Sequence, residues 1–176
     1  MPCYICRRRS GTNTELWKGL RDALERYTDR EPVLLYQASW DGSSARVFHE
    51  RCDHKGSTVT FAFLENGSIF GAYVDLDWSS PPGSALVAMD VPNSVLFSYR
   101  EKEGLRFSPK HEDGIWKRSG VSAHLCATMG PSLGSGPDFE VHFGRSMMLT
   151  GTPGSYQEAN IPLPWADLKD VEVWAL

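Results

Sequence analysis

The sequence predicts an α+β fold that is mainly β: two antiparallel sheets packed as a β-sandwich with flanking helices. Three observations point there. Short β-rich runs, several of them alternating apolar and polar residues, recur from residue 58 to the C-terminus, separated by Gly, Pro and Asn turn signals. Helical periodicity is confined to the first third of the chain. An Asn66-Gly67 pair, the dipeptide best suited to a tight hairpin, joins two of the strongest β-rich runs.

The chain has 176 residues, enough for one domain around a single core, and residues 1–13 read as a tail or linker ahead of a single domain at 14–176. With 41% hydrophobic and 23% charged residues the composition is that of an ordinary globular protein. No window approaches the roughly 20 apolar residues of a membrane span. The first residues have no apolar signal region either, so neither secretion nor insertion is expected. A formal net charge of -4, with Arg7-Arg8-Arg9 as the one basic run, provides no general attraction for nucleic acid. Cys3, Cys6, Cys52 and Cys126 lack the spacing of a secreted disulfide scaffold, which suits a reducing, intracellular compartment.

The first element is an amphipathic helix. Thr12 and Glu15 have capping-box spacing, and Leu16, Leu20, Ala23, Leu24 and Tyr27 repeat with helical period, while Gly19 weakens the helix by about 1 kcal/mol relative to alanine. Pro32 ends it and Val33 to Tyr36 reads as strand. The stretch Leu34 to Asp53 then turns from strand into helix. Gly42 relieves the backbone, Asp41 or Ser43 can cap, and Ala45, Phe48 and Cys52 form the apolar stripe.

Thr58 to Leu64 and Ile69 to Leu76 form the hairpin. A two-residue turn at Asn66-Gly67 pairs Glu65 with Ser68 and sets Phe63 opposite Phe70, Phe61 opposite Ala72 and Val59 opposite Val74. Ser79 to Ser84 is a loop. Ser94 to Tyr99 is the next strand, with Val95, Phe97 and Tyr99 on one face, followed by Leu105 to Phe107 and then His124 to Met129. Gly130 to Pro137 is a glycine-rich loop. Phe139, Val141 and Phe143 alternate as a half-buried strand, and Ser146 to Thr150 returns beside it. Trp165 to Leu168 reads as a helical turn before a last strand in which Val171, Val173 and Ala175 alternate with Glu172, Trp174 and Leu176.

Candidates for chemistry are few. The glycine loop lacks both the Gly-Lys-Ser/Thr signature and a following helix N-terminus, so it is read as structural rather than phosphate-binding. Cys3 and Cys6 are half a zinc knuckle that His49 with Cys52, or His124 with Cys126, would have to complete, but a lone pair of cysteines beside an arginine cluster reads as tail. A cysteine hydrolase would use Cys52 or Cys126 with His49, His124 or His142 and an acid such as Glu50 or Asp138. Cys52 lies on an apolar helix face, however, and a buried structural thiol is the favoured reading. The pairs Asp75/Asp77 and Glu101/Glu103 read as solvated charge. Trp116 and Trp174 read as core, whereas Trp40 stands in a turn expected to be exposed.

The ordered motifs resemble the TLD (TLDc) domain family. The likeness begins with Leu34-Leu35-Tyr36, Ala38-Ser39, Asp41-Gly42, Ser44-Ala45 and Phe48 to Asp53. It continues through Ile69-Phe70-Gly71-Ala72-Tyr73, Asp90 with Val95 to Ser98, Gly130-Pro131-Ser132 with Gly134 and Gly136, Gly154-Ser155-Tyr156, and Val171 to Trp174. Departures are Ser43 and Leu133 at aromatic positions, Ala72 for a glycine, Ser135 within a glycine run and Gln157 for a glutamate.

The resemblance implies a two-sheet sandwich bordered by helices, and Gly71, Tyr73, Gly130, Gly134, Gly136, Gly154, Ser155 and Tyr156 as structural positions. It also implies protection from oxidative damage, and binding to the peripheral sector of the vacuolar proton ATPase from the cytoplasm, at the surface of acidic organelles. No catalytic mechanism, cofactor or metal comes with it. The functional expectation is therefore a non-catalytic intracellular interaction domain whose partner-binding turn is Trp40, Asp41, Gly42, Ser44 and Arg46. The alternatives are a module of a larger GTPase-linked signalling protein and a thiol-dependent hydrolase or antioxidant enzyme.

Overall fold

The computed structural model describes residues 14–24, 31–83, 85–108, 122–134, 138–144, 147–150 and 166–176. Its elements, in chain order, are α1 (Thr14–Ala23), β1 (Val33–Gln37), α2 (Ala38–Asp41), α3 (Ala45–Cys52), β2 (Thr58–Leu64), β3 (Ile69–Val74) and β4 (Val87–Asp90). They continue with β5 (Val95–Arg100), β6 (Gly104–Phe107), β7 (Ser122–Leu125), β8 (Ser132–Leu133), β9 (Phe139–His142), β10 (Met148–Thr150) and β11 (Ala166–Ala175).

The expected mainly-β architecture holds, with one change. Instead of two separate sheets, the strands form one continuous ladder, β4-β7-β8-β9-β10-β11-β2-β3-β5-β6, with β1 on β11. Strand β11 is the joint: Ala166 and Asp167 pair with β10, whereas Leu168 to Ala175 pair with β2, and the register shifts between Leu168 and Asp170. A bulge at this point bends a strand and lets it pass from one layer to another. One cluster of buried residues consequently draws on both halves, combining Ala62, Phe70 and Leu96 with Ala123, Leu133, Phe139, Val141 and Leu149.

The other face of the β2-β3-β5 half is covered by α1. Leu16 and Leu20 are fully buried against Val59, Phe61, Ile69, Tyr73, Phe97 and Trp174. Leu24 closes the stripe just past the helix, while Ala23 faces outward rather than in. Gly19 has a packing reason, since a β-carbon there would press on the Leu105 side chain of β6. The capping residue Thr12 and the stripe residue Tyr27 lie outside the described residues.

The hairpin corrects the two-residue turn. Leu64 N donates to Ser68 O at 2.9 Å and Gly67 N to Leu64 O at 3.1 Å, Gly67 adopts φ +82°, and Ser68 N donates to Asn66 Oδ1 at 2.9 Å. These are the marks of a three-residue loop in which glycine occupies the left-handed position after a tight turn. Pairing shifts by one residue, so that Phe63 faces Ile69, Phe61 faces Gly71 and Val59 faces Tyr73. Glycine at 71 is what this pairing accommodates, because a side chain there would overlap the Phe97 ring and the Thr60 carbonyl. Both faces of these strands are buried, so either register looked apolar and periodicity could not decide between them.

Three other expectations change. The turn from 39 to 44 begins with a helical turn, α2. The run His124 to Met129 is strand only to Leu125, and Cys126 to Met129 is a turn closed by Met129 N donating to Cys126 O at 3.0 Å. Residues Ala166 to Leu168 extend the last strand rather than forming a helical turn. Strands β4 and β8 were not anticipated; β4 is short and exposed along its length, and β8 has two residues.

Candidate functional site

The corner from α2 into the first turn of α3 holds all five residues of the expected partner-binding turn: Trp40 and Asp41 in α2, Gly42 and Ser44 between the helices, and Arg46 in α3. Gln37 N donates to Asp41 Oδ2 at 2.9 Å and Gly42 N to Ala38 O at 3.0 Å, closing α2. Gly42 adopts φ +102°, a conformation that favours glycine, and reverses the chain toward α3. The cap of α3 is Ser44, whose side chain accepts from Val47 N at 3.3 Å, rather than Asp41 or Ser43. Ser43 Oγ instead donates to Gly144 O at 3.4 Å.

Asp170, at the β11 bulge, fastens the corner to the sheet. Its carboxylate accepts from Ser39 N at 2.9 Å, Ser39 Oγ at 2.6 Å, Gln37 Nε2 at 2.8 Å and Val171 N at 2.9 Å. Tyr36 donates its hydroxyl to Gly42 O at 2.9 Å. The Asp41 side chain is 6% exposed and lies 3.3 Å from Arg51. On this frame Trp40 is 69% exposed, and Arg46 reaches into solvent beside Glu50 at 2.5 Å. Asp41, Gly42 and Ser44 thus build the corner, and Trp40 and Arg46 are what it presents.

Behind the corner lies a buried histidine. His49 is 6% exposed, with Nδ1 2.7 Å from Asp53 Oδ1, and Nε2 2.9 Å from Cys126 O and 3.1 Å from Met129 O. Asp53 Oδ2 accepts from Ser80 Oγ at 2.6 Å. Both ring nitrogens are therefore engaged by oxygen atoms, which leaves neither to serve a thiol or a zinc ion. His49 meets Cys126 through its carbonyl, while the thiol of Cys126 lies 3.2 Å from Thr128 Oγ1.

The two described cysteines are both free and buried. Burial, helped by the carboxylates of Asp53 and Asp41, pushes the Cys52 thiol far above its ordinary range. Hydrogen bonds from the Thr128 side chain and from the Thr128 and Met129 backbone lower that of Cys126, which nonetheless is only 4% exposed. A reactive thiol needs both thiolate character and access. Cys52 has neither, and Cys126 lacks the access. Cys3 and Cys6 lie outside the described residues.

The remaining candidates have structural employment. Asp75 accepts from Ser57 Oγ at 2.7 Å and from Asn93 Nδ2 at 3.1 Å, and Asp77 accepts from Gly56 N. Glu103 pairs with Arg100 at 3.1 Å and Arg106 at 3.6 Å. His124 Nδ1 lies 3.2 Å from Ser132 Oγ, and His142 Nε2 lies 3.5 Å from Glu140. Trp174 is core, donating to Glu172 Oε2 at 3.0 Å and stacking edge-on with Trp17; Trp116 lies outside the described residues. Among the described residues no three His, Cys, Asp or Glu side chains gather as a metal site, and no helix is long and apolar enough to cross a membrane.

Of the expected structural positions, Gly71 and Tyr73 lie in β3. A side chain at Gly130 would strike the Val141 carbonyl and the Phe143 ring, and Gly134, at φ +106°, lies against Asp138. Gly136, Gly154, Ser155 and Tyr156 lie outside the described residues. Two residues that organise the site were not anticipated. The spacing of His49 and Asp53, four apart across a helix end, could have revealed Asp53. Nothing local marks Asp170, because its partners in the corner, Gln37 and Ser39, lie more than 130 residues away.

In comparison with known families, the model of the TLDc domain matches residues 8–176. No curated protein matches the chain.

Proposed function

We propose that this chain, which belongs to the TLDc domain family, is a non-catalytic protein-interaction domain whose contact surface is the α2–α3 corner. The observation that carries the reading is Trp40, 69% exposed on a backbone fastened by Asp170, Asp41 and Tyr36. An exposed indole supplies a large apolar area and one hydrogen-bond donor, the combination enriched at interaction hot spots. Because its backbone is already ordered, docking loses little further conformational entropy. Arg46, pairing with Glu50 at the rim, adds a charge that influences orientation more than affinity.

The partner follows from the family resemblance: the peripheral sector of the vacuolar proton ATPase, met on the cytoplasmic surface of acidic organelles, with protection against oxidative damage as the cellular consequence. Reconstitution with that sector tests the reading. The expected result is binding at about micromolar concentration that weakens at least tenfold in Trp40→Ala while the thermal midpoint stays within a degree or two of wild type. Absence of any binding by the wild-type chain, or full binding by Trp40→Ala, would sink the proposal.

A further inference from the structure

We propose that β4 is a self-pairing edge: two copies of this chain associate by laying β4 against β4 antiparallel, across a two-fold axis at Ala88, so that their ladders join. Among the described residues the ladder ends at β4 and at β6, and β1 lies alone beside β11. Strand β1 is guarded by Pro32 ahead of it and by the register shift between Leu34 and Tyr36, and β6 carries Arg106, 58% exposed, beside Phe107. A charge, a proline or a bulge is how an edge avoids taking on another strand. The run from Leu86 to Met89 has none of the three.

This edge is also where the inner apolar surface runs out of cover. Val87 faces Leu125 and Met89 faces Ala123, and both of those partners belong to the buried cluster of the inner face. Residues directly opposite in an antiparallel pair share a face of the sheet. Val87 and Met89 therefore continue the core side, yet they are 38% and 40% exposed, with Leu86 beside them at 58%.

The strand is complementary to its own copy. A two-fold axis perpendicular to a sheet keeps both core faces on one side, and it requires that one residue lie opposite itself. Met89 is excluded as that residue, because Val91 would then have to meet the partner's Val87 and Val91 is already buried. With Ala88 on the axis, Val87 lies opposite the partner's Met89 and Met89 opposite the partner's Val87, which puts both apolar pairs on the core side. The small Ala88 side chains meet on the other face. Asp90, the one charge of the strand, lies opposite the partner's Leu86, so the two carboxylates stand about 13 Å apart along the strands and do not clash.

The contact is small. Stable interfaces bury roughly 1,200–2,000 Å², more than two strands of four residues supply, so the dimer is weak, with a Kd of about 10⁻⁴ M. A formal net charge of -4 on each chain opposes the approach of a second copy. Salt screens that repulsion and leaves the apolar pairs in place, so association tightens as ionic strength rises. No residue of the Trp40 corner takes part.

Analytical ultracentrifugation of the 176-residue chain between about 5 µM and about 500 µM tests the pairing. A reversible monomer–dimer equilibrium is expected, tightening about threefold between about 0.05 M and about 0.5 M salt. Met89→Lys should weaken it at least tenfold with an unchanged far-ultraviolet spectrum, because a charge then faces the partner's Val87 on the core side. Trp40→Ala should leave it unaltered. The register has its own check in chains whose Cys3 and Cys6 are replaced by serine. There Ala88→Cys should be cross-linked to its copy by oxidised glutathione, since facing β-carbons lie about 5 Å apart, whereas Leu86→Cys should not. A chain that stays monomeric at about 500 µM overturns the proposal and leaves the edge to a strand of another protein. Association that weakens with salt, survives Met89→Lys or disappears in Trp40→Ala overturns it too, as does an Ala88→Cys chain that cross-links no faster than Leu86→Cys.

Discussion

The two faces of the β2-β3-β11 region are both sealed, but by different means. On the outer face a single local helix, α1, lies over an aromatic surface, where Trp17 meets Phe61 and Trp174 edge-on at 5.1 Å and 5.3 Å. On the inner face, Tyr36, Phe48, Trp78 and residues from most of the remaining strands converge from distant parts of the sequence. The inner face also shelters several polar groups, the Tyr36 hydroxyl, the His49 ring and Thr58, which accepts from Trp78 Nε1 at 2.8 Å, whereas on the outer face Glu172 accepts from Trp174 Nε1. The outer face is thus held by one cover, whereas the inner face depends on many elements and on polar groups that must all be satisfied at once.

The largest expected effect tests this contrast directly. Phe48 touches Tyr36, Trp78 and Phe143, with ring centroids 5.6 to 6.1 Å apart, so Phe48→Ala should lower stability by about 3–5 kcal/mol in urea unfolding. Leu20→Ala on α1 should cost about 2–4 kcal/mol and, unlike Phe48→Ala, leave the near-ultraviolet signature of Trp78 unchanged. Equal loss of that signature in both variants would dissolve the distinction.

Gly71→Ala is the next test, because Gly71 sits on the strand common to both faces. Overlap with Phe97 and the Thr60 carbonyl should destabilise by about 1–3 kcal/mol. A neutral result would show that Phe97 and the neighbouring strand can make room at this position.

The smallest effect is invisible at neutral pH. Folded Cys52 and Tyr36 hold their protons more tightly than they do in the unfolded chain, chiefly through burial. Their contribution is complete below the ordinary range of each group and declines as pH rises past it, because only the unfolded chain then releases the proton. Between about pH 8.5 and 10 the slope belongs to Cys52 and should disappear in Cys52→Ala. Cys126 has the opposite sign and acts at lower pH, since its thiol is held below the ordinary value. A slope retained in Cys52→Ala would place the titrating group on another residue.

Much of the fold was legible because it is written in local periodicity. The helical stripe of Leu16, Leu20 and Leu24, the strand that carries Tyr36, the alternation of Phe139 and Val141, and the exposure of Trp40 follow from residue type and spacing alone. The boundaries that failed are those where two local solutions are equally good. Asn66-Gly67 supports a two-residue or a three-residue loop, and strands buried on both faces offer no polar side to choose between registers. Asp41, Ser43 and Ser44 are all competent caps, and only backbone direction selects Ser44.

The sequence by itself determined the mainly-β class, the apolar stripes and the family, because each rests on patterns within a few residues or on the order of motifs. Only the tertiary structure decided that the sheet is continuous through β11, that Asp170 locks the Trp40 corner, and that His49 faces three oxygens rather than a thiol. These are contacts between residues up to 133 apart. The chain's geometry, not its local chemistry, chooses such partners.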